Sequence, residues 1–348
     1  MAVPVSEKTD PFQAQWPKRL DPSLKSLISK VGRVFWNIIS VVIFPIGLVR
    51  LGIHYLRKLV FQIIMPNIYR EDFARDAGQY RLEKYGGQRV SIKVPDGATL
   101  NCAFFPGKNR EKVILFVGGN SQRWETHDWY QLIKDVNASI FFVNSRGIGN
   151  SSGPIYEDGY ALDIYTAAEY LIHEKGIDPE DIAFTGFSMG GANTTRGASL
   201  IQEKYSEKKI KAANINSFST LDLEIREVLN VRGFLPAIAR LGARVLQFDM
   251  DVKKDFDSLK GEKYVFYNPL EPVIPKPAQL ATAIQKTSAH GARLVQFAPF
   301  PDHTPFKIRE ELLLFQRMMR KLLQIKPTSD QGQEAETLAG RIFTRVAS

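Results

Sequence analysis

The sequence predicts an α/β protein built on a mostly parallel sheet with helices on both faces. Three observations carry this reading. Short apolar runs alternate with stretches of helical periodicity from residue 112 onward, a hairpin precedes them, and one glycine-flanked serine stands at a strand-to-helix junction.

The hairpin is "QRVSIKVPDGATLNCAFFP" from residue 88, two alternating strands around an Asp96-Gly97 turn. The apolar runs are "KVILFV" (112–117), "SIFFVN" (139–144), "DIAFT" (181–185), "KAANIN" (211–216), "KYVFY" (263–267) and "RLVQFA" (293–298). Between them, 121–137, 158–175, 189–204, 276–290 and 306–325 read as helices. The interval 217–262 is longer than one crossover needs, and "LEIREVLNVRGFLPAIARLGARVLQF" within it predicts a small helical lid over one end of the sheet.

The chain has 348 residues, 44% of them hydrophobic and 24% charged, enough for a sizeable core in one large domain with extensions or in two domains. Cys102 is the single cysteine, so neither an intramolecular disulfide nor a cysteine-based metal site can form, which fits a reducing compartment. The five histidines (54, 127, 173, 290 and 303) lack ligand-like spacing, and no metal or cofactor is expected.

A net charge of +9 would suit nucleic acid, but its placement points elsewhere. Residues 1–70 hold ten Lys/Arg against three Asp/Glu, and no acid occurs from Pro22 to Arg70. That acid-free stretch is also the most apolar. "DPSLKSLISKV" opens with Asp21 as an N-cap and Pro22 at the first helical position. The sixteen largely apolar residues between Arg33 and Arg50, broken at Pro45 and Gly47, fall short of the roughly 20 that span a bilayer. Residues 1–21 are therefore read as a flexible N-terminus. Residues 22–70 are read as a basic, apolar helical segment for an anionic membrane surface, peripheral, monotopic or re-entrant. The alternative is a hairpin folded on the rest of the protein. The polar residues before the apolar run argue against a cleavable signal peptide, and 327–348 reads as a polar tail.

The pattern G-x-S-x-G occurs twice, as "GNSSG" at 149–153 and "GFSMG" at 186–190. A serine nucleophile on a strained turn needs a strand ending at the first glycine and a helix starting just after the serine. "DIAFTGFSMGGANTTRGASLIQ" supplies both, and Ser188 is the candidate nucleophile. "GNSSG" has "SRG" between it and its strand and Pro154 behind it, so Ser151 reads as part of a glycine-rich loop.

With "GFSMGG" as elbow, "NSRGIGNSSG" as the loop after an earlier strand and "LFVGGN" in the oxyanion-loop position, residues 88–325 resemble the serine hydrolases of the α/β-hydrolase superfamily. The basic, apolar N-terminal segment is similar to that of membrane-tethered branches, including hydrolase-like proteins of intracellular bacteria. The resemblance implies an α/β-hydrolase domain over 71–326 and, in chain order, Ser188, an acid and then a histidine. His303 in "APFPDHTPF" follows the last strand, where the family carries its base, whereas His290 precedes that strand. Glu271 in "NPLEPVIP" occupies the acid position. Asp302, Asp255 and Asp257 are the less suitable carboxylates. The implied oxyanion donors are the backbone N–H groups of Met189 and Asn120. The expected activity is cleavage of a carboxylic ester or thioester, with a lipid acyl substrate favoured by the anchor. A peptidase of the same fold, or a binding module or effector with little catalysis, are the other readings.

Overall fold

The computed structural model describes residues 52, 55, 56, 59, 71–228, 250–287 and 292–326. The expected anchor, all but four positions of it, the tail 327–348, His290 and the middle of the expected lid lie outside these residues. The chain divides at Leu56–Arg57 into two units, and all the strands among the described residues lie in the second. No helix among the described residues is long and apolar enough to cross a membrane.

The order is α1 (Glu71–Tyr85), β1 (Gln88–Lys93), β2 (Thr99–Phe105), β3 (Asn109–Val117), α2 (Trp129–Ile133), β4 (Ala138–Val143), α3 (Glu157–His173), β5 (Ile182–Phe187), α4 (Met189–Lys204) and β6 (Lys211–Ile215). There follow α5 (Leu221–Val228), α6 (Val252–Ser258), β7 (Lys263–Tyr267), α7 (Leu280–Thr287), β8 (Ala292–Gln296) and α8 (Arg309–Leu322). The eight strands form one sheet in the order β1-β2-β4-β3-β5-β6-β7-β8. Only the β1–β2 and β2–β4 pairs are antiparallel.

Side chains alternate across the central strands. Ile114, Phe116, Ala183, Ala213, Ile215, Tyr264 and Phe266 share one core with Trp129 and Ile133 of α2 and Phe315 and Met319 of α8. Phe116, 1% exposed, contributes about 2 kcal/mol by leaving water. On the opposite face the Asn214 amide donates to Thr195 of α4 (3.2 Å), and Arg196 of α4 pairs with Asp158 of α3 (3.2 Å). Helices thus cover both faces, as the buried parallel strands require.

The direction in which strands are added across the sheet reverses between the parallel neighbours β3 and β5. From β3 the chain runs to β4 on one side, and from β5 it runs to β6 and β7 on the other. Such a switch point leaves a crevice at the strands' carboxyl ends, where ligands of open α/β sheets bind.

Three expected helices are shorter than their periodicity suggests. Over 121–137 only Trp129–Ile133 is α-helical, followed by a single 3₁₀ turn. Upstream, Ser121 has φ 61°, and the Trp124 N–H bonds to the Asn144 side chain (3.1 Å), so tertiary partners replace the helical ladder. Prolines 275 and 277 confine 276–278 to a 3₁₀ turn before α7. Phe306, at φ 64°, delays α8 to Arg309.

The loop holding "GNSSG" is a structural lock. Arg146, fully buried, pairs with Asp163 of α3 (2.8 Å) and with Asp96 of the hairpin turn (2.6 Å). Burial pushes the Asp163 carboxyl up to about 6 while the Arg146 guanidinium opposes it. The Ser151 hydroxyl donates to the Asn144 carbonyl (2.8 Å) and accepts from the Asn101 N–H (2.8 Å).

Candidate active site

Ser188 sits at φ 55°, ψ −124° between the end of β5 and the start of α4. A non-glycine residue rarely adopts this conformation, and it persists only where neighbours over-determine it. Two glycines make room. A Cβ on Gly186 would stand 2.3 Å from the Gly190 carbonyl oxygen, and one on Gly190 would stand 2.1 Å from that of Gly118. The Ser188 N–H donates to the Ile215 carbonyl at the end of β6 (2.8 Å), which fixes the turn to the neighbouring strand.

The structure brings His303 and Glu271 together. His303 Nδ1 is hydrogen-bonded to Glu271 Oε2, and Glu271 Oε1 accepts the Ile274 N–H. The Glu271 side chain is 1% exposed and that of His303 is 19% exposed. An ionised carboxylate only accepts, so in a pair with one Nδ1 is the donor, and in a neutral imidazole Nε2 then keeps its lone pair. The imidazole lies against Phe187, the residue before Ser188, at 4.7 Å between ring centroids. Asn216, next to the Ile215 that holds the elbow, donates to the His303 carbonyl (3.0 Å). His303 and the Ser188 turn therefore share a wall. Among the described residues no hydrogen bond joins the Ser188 hydroxyl to His303.

The other carboxylates weighed for the acid are engaged elsewhere. Asp302 pairs with Lys307 (2.6 Å), whose hydrogen bond holds the Asp302 carboxyl below its usual range. Asp255 faces Arg196 (3.4 Å), and Asp257 pairs with Lys253 (2.5 Å).

Met189 opens α4, so its N–H has no intrahelical acceptor. Across the crevice, the Gly119 N–H is taken by the Gln122 side-chain oxygen (2.8 Å), which the Trp129 indole also reaches (3.2 Å). Asn120, exposed, follows Gly119 on the same loop.

Sequence reasoning passed over Asn216, Asn268, Gln122 and Glu224. The two asparagines had a visible signal, since each directly follows an apolar strand. Glu224 on α5 had none. Burial, then the nearby charge of Glu271, pushes its carboxyl up to about 8, and its Oε2 has no hydrogen-bond partner among the described residues.

No family model matches the chain. The uncharacterized protein YfhR of Salmonella typhi is 27% identical over 115 residues, 30% of this chain and 38% of YfhR. A multifunctional-autoprocessing repeats-in-toxin of Vibrio cholerae is 30% identical over 159 residues, 43% of this chain and 3% of the toxin. The matches thus span well under half the length of these relatives. Among solved structures, an α/β hydrolase from Vibrio vulnificus superimposes with TM-score 0.56 at 19% identity, covering 82% of this chain and 92% of that one. An esterase of Pyrococcus furiosus gives TM-score 0.55 at 15% identity, with 74% and 95% covered. An acetyl xylan esterase from Paenibacillus gives 0.52 at 14% identity, with 75% and 97% covered. Likeness over most of both chains, together with the sheet order and the turn at Ser188, establishes that this chain has the α/β-hydrolase fold.

Proposed function

We propose that the protein is a membrane-associated serine hydrolase that cleaves carboxylic esters or thioesters, of lipid or other acyl substrates, through an acyl-enzyme. The observation that carries this reading is His303 paired with the buried Glu271 beside the strained Ser188 turn. The esterase names borne by two of the structural neighbours support the reaction class.

In this reading His303 Nε2 takes the proton as Ser188 Oγ attacks the acyl carbon. Glu271 keeps the imidazole in the required tautomer and stabilises the imidazolium that forms. The Met189 and Asn120 N–H groups receive the negative charge that develops on the carbonyl oxygen, helped by the positive end of α4. His303 then protonates the departing alcohol or thiol, and water, activated by the same nitrogen, releases the acid. The Ser188–His303 contact forms with substrate bound, since such hydrogen bonds often tighten only in the reacting complex. The acid-free stretch 22–70 holds the domain at an anionic membrane surface in the same proposal.

The test is fluorophosphonate labelling followed by a chain-length series of p-nitrophenyl esters and acyl thioesters, with and without anionic liposomes. Labelling at Ser188 and turnover that rises with acyl length support the reading. Absence of both sinks it, and leaves the binding-module alternative.

A further inference from the structure

Three strands end at the catalytic edge of the sheet in a buried asparagine. Asn144 follows β4, Asn216 follows β6 and Asn268 follows β7, and they are 1%, 4% and 5% exposed. None of the proposed chemistry uses them, yet each spends its amide on a loop that carries a catalytic group.

Asn216 and Asn268 form one clamp. The Asn216 amide donates to the His303 carbonyl (3.0 Å), while its side-chain oxygen accepts the Asn268 N–H (2.9 Å). The Asn268 amide donates to the carbonyls of Phe300 (2.5 Å) and Asp302 (2.9 Å), and its oxygen accepts the Leu270 N–H (3.0 Å). The base loop is thus held at three carbonyls, and the acid loop is held beside Glu271. Asn216 itself adopts φ 43°, a left-handed conformation that asparagine tolerates better than most residues.

Asn144 serves the opposite wall. Its oxygen accepts the Trp124 N–H (3.1 Å), and its amide donates to Glu125 (2.8 Å), which is buried and also takes the Asn101 amide (2.5 Å). Trp124 and Glu125 belong to the same loop as Asn120, the proposed oxyanion donor. An asparagine fits all these places for one reason. It offers a donor and an acceptor without charge, so it can pair with loop backbone in a buried setting where an ion would be costly.

We propose that Asn144, Asn216 and Asn268 are positioning residues of the active site: Asn216 and Asn268 set the register of His303 and Glu271 against Ser188, and Asn144 sets the oxyanion loop. This rests on the triad reading above. The test compares Asn216→Ala, Asn268→Ala, Asn144→Ala and the double variants Asn216→Ala/Asn268→Ala and Asn144→Ala/Asn268→Ala. Readouts are kcat and KM on a short p-nitrophenyl ester, the fluorophosphonate labelling rate and the melting temperature. A displacement of about 1 Å in a catalytic group costs on the order of 10²-fold in rate. Each single variant is expected to lose about that factor in kcat and labelling rate while KM moves less than about threefold, because none of the three amides touches substrate. Asn216→Ala/Asn268→Ala should be no slower than its slower single variant, since both amides hold one loop. In Asn144→Ala/Asn268→Ala the losses should multiply. Asn268→Asp keeps the shape and the Leu270 bond but turns a carboxylate oxygen toward the Phe300 and Asp302 carbonyls in place of the donating amide, so it must also lose at least tenfold, and it serves if an alanine variant does not fold. Folded variants with wild-type kcat, or with lowered melting temperature alone, overturn the inference while labelling of wild-type Ser188 preserves the triad. A wild type unlabelled at Ser188 overturns both.

Discussion

His303 Nδ1 meets Glu271 Oε2 across 32 residues of chain, inside a site that leaves the glutamate side chain 1% exposed. A carboxylate so buried has two partners for its charge, the ring it faces and the Ile274 N–H. Replacing Glu271 with Gln keeps the shape but removes the charge that stabilises an imidazolium. Turnover should fall on the order of 10⁴-fold. Steady-state kinetics on an ester substrate checks this, and near-wild-type kcat would pass the acid role to another carboxylate.

Ser188→Ala should abolish fluorophosphonate labelling and cost on the order of 10⁶ in turnover, matched by His303→Ala, because the triad acts as a unit. Ser151→Ala should behave differently. Its hydroxyl is tied to Asn144 and Asn101, so its loss should cost about 1–3 kcal/mol of stability and leave labelling intact. The reverse outcome would exchange the roles of the two G-x-S-x-G motifs.

Glu224 gives the fold a pH dependence opposite to that of an ion-paired carboxylate. Its folded pKa of about 8 lies above the ordinary 4.5, so the native state holds a proton that the unfolded chain releases. The stability this contributes is complete below about 4.5 and lost as pH rises toward about 8. Glu224→Gln removes the titration. The melting temperature of this variant relative to wild type should therefore rise between pH 5 and pH 8, by on the order of 5 °C. A pH-independent difference would mean that the carboxyl is not held neutral.

Arg146→Met should destabilise the protein by about 3–5 kcal/mol, because it leaves the fully buried Asp163 without its cation. The double variant Arg146→Met/Asp163→Leu should cost less than the single one. Urea unfolding monitored by tryptophan fluorescence measures both.

The proposed membrane contact is tested in the full chain. Changing Arg33, Arg50, Arg57 and Lys58 to Gln should weaken flotation with anionic liposomes, by about 1 kcal/mol per charge, and more at low salt than at high salt. Residual binding in high salt would come from apolar insertion. A wild type that floats with no liposome of any composition would leave 22–70 as a structural hairpin.

The hairpin, the six apolar strands and α4 were legible because each rests on local pattern: period-two alternation, β-branched and aromatic runs, and a glycine-flanked turn. The stretch 121–128 misled because its helical spacing reflects burial, while the Trp124 N–H is spent on Asn144 and the Gln122 N–H on the Gly119 carbonyl. Ser188, Glu271 and His303 could be picked from chain order and loop position. The second set of amides behind them left a visible but ambiguous signal, since an asparagine after a strand reads equally well as an ordinary turn residue. Glu224 was hidden for a stronger reason. Its burial beside Glu271 is made by the approach of two segments 47 residues apart, and no local pattern encodes that.

The lone thiol has a use that follows from where it lies. Cys102 is fully buried in β2, between β1 and β4, and burial pushes its thiol well above the usual range. A thiol-specific reagent should leave the native protein untouched and react only when this antiparallel margin opens. The rate of modification, followed without mutation or dye labelling, then reports how often the margin parts from the sheet. Comparing that rate with global unfolding would tell whether the hairpin detaches as a unit of its own, at the margin of the sheet whose Asn101 amide reaches Glu125.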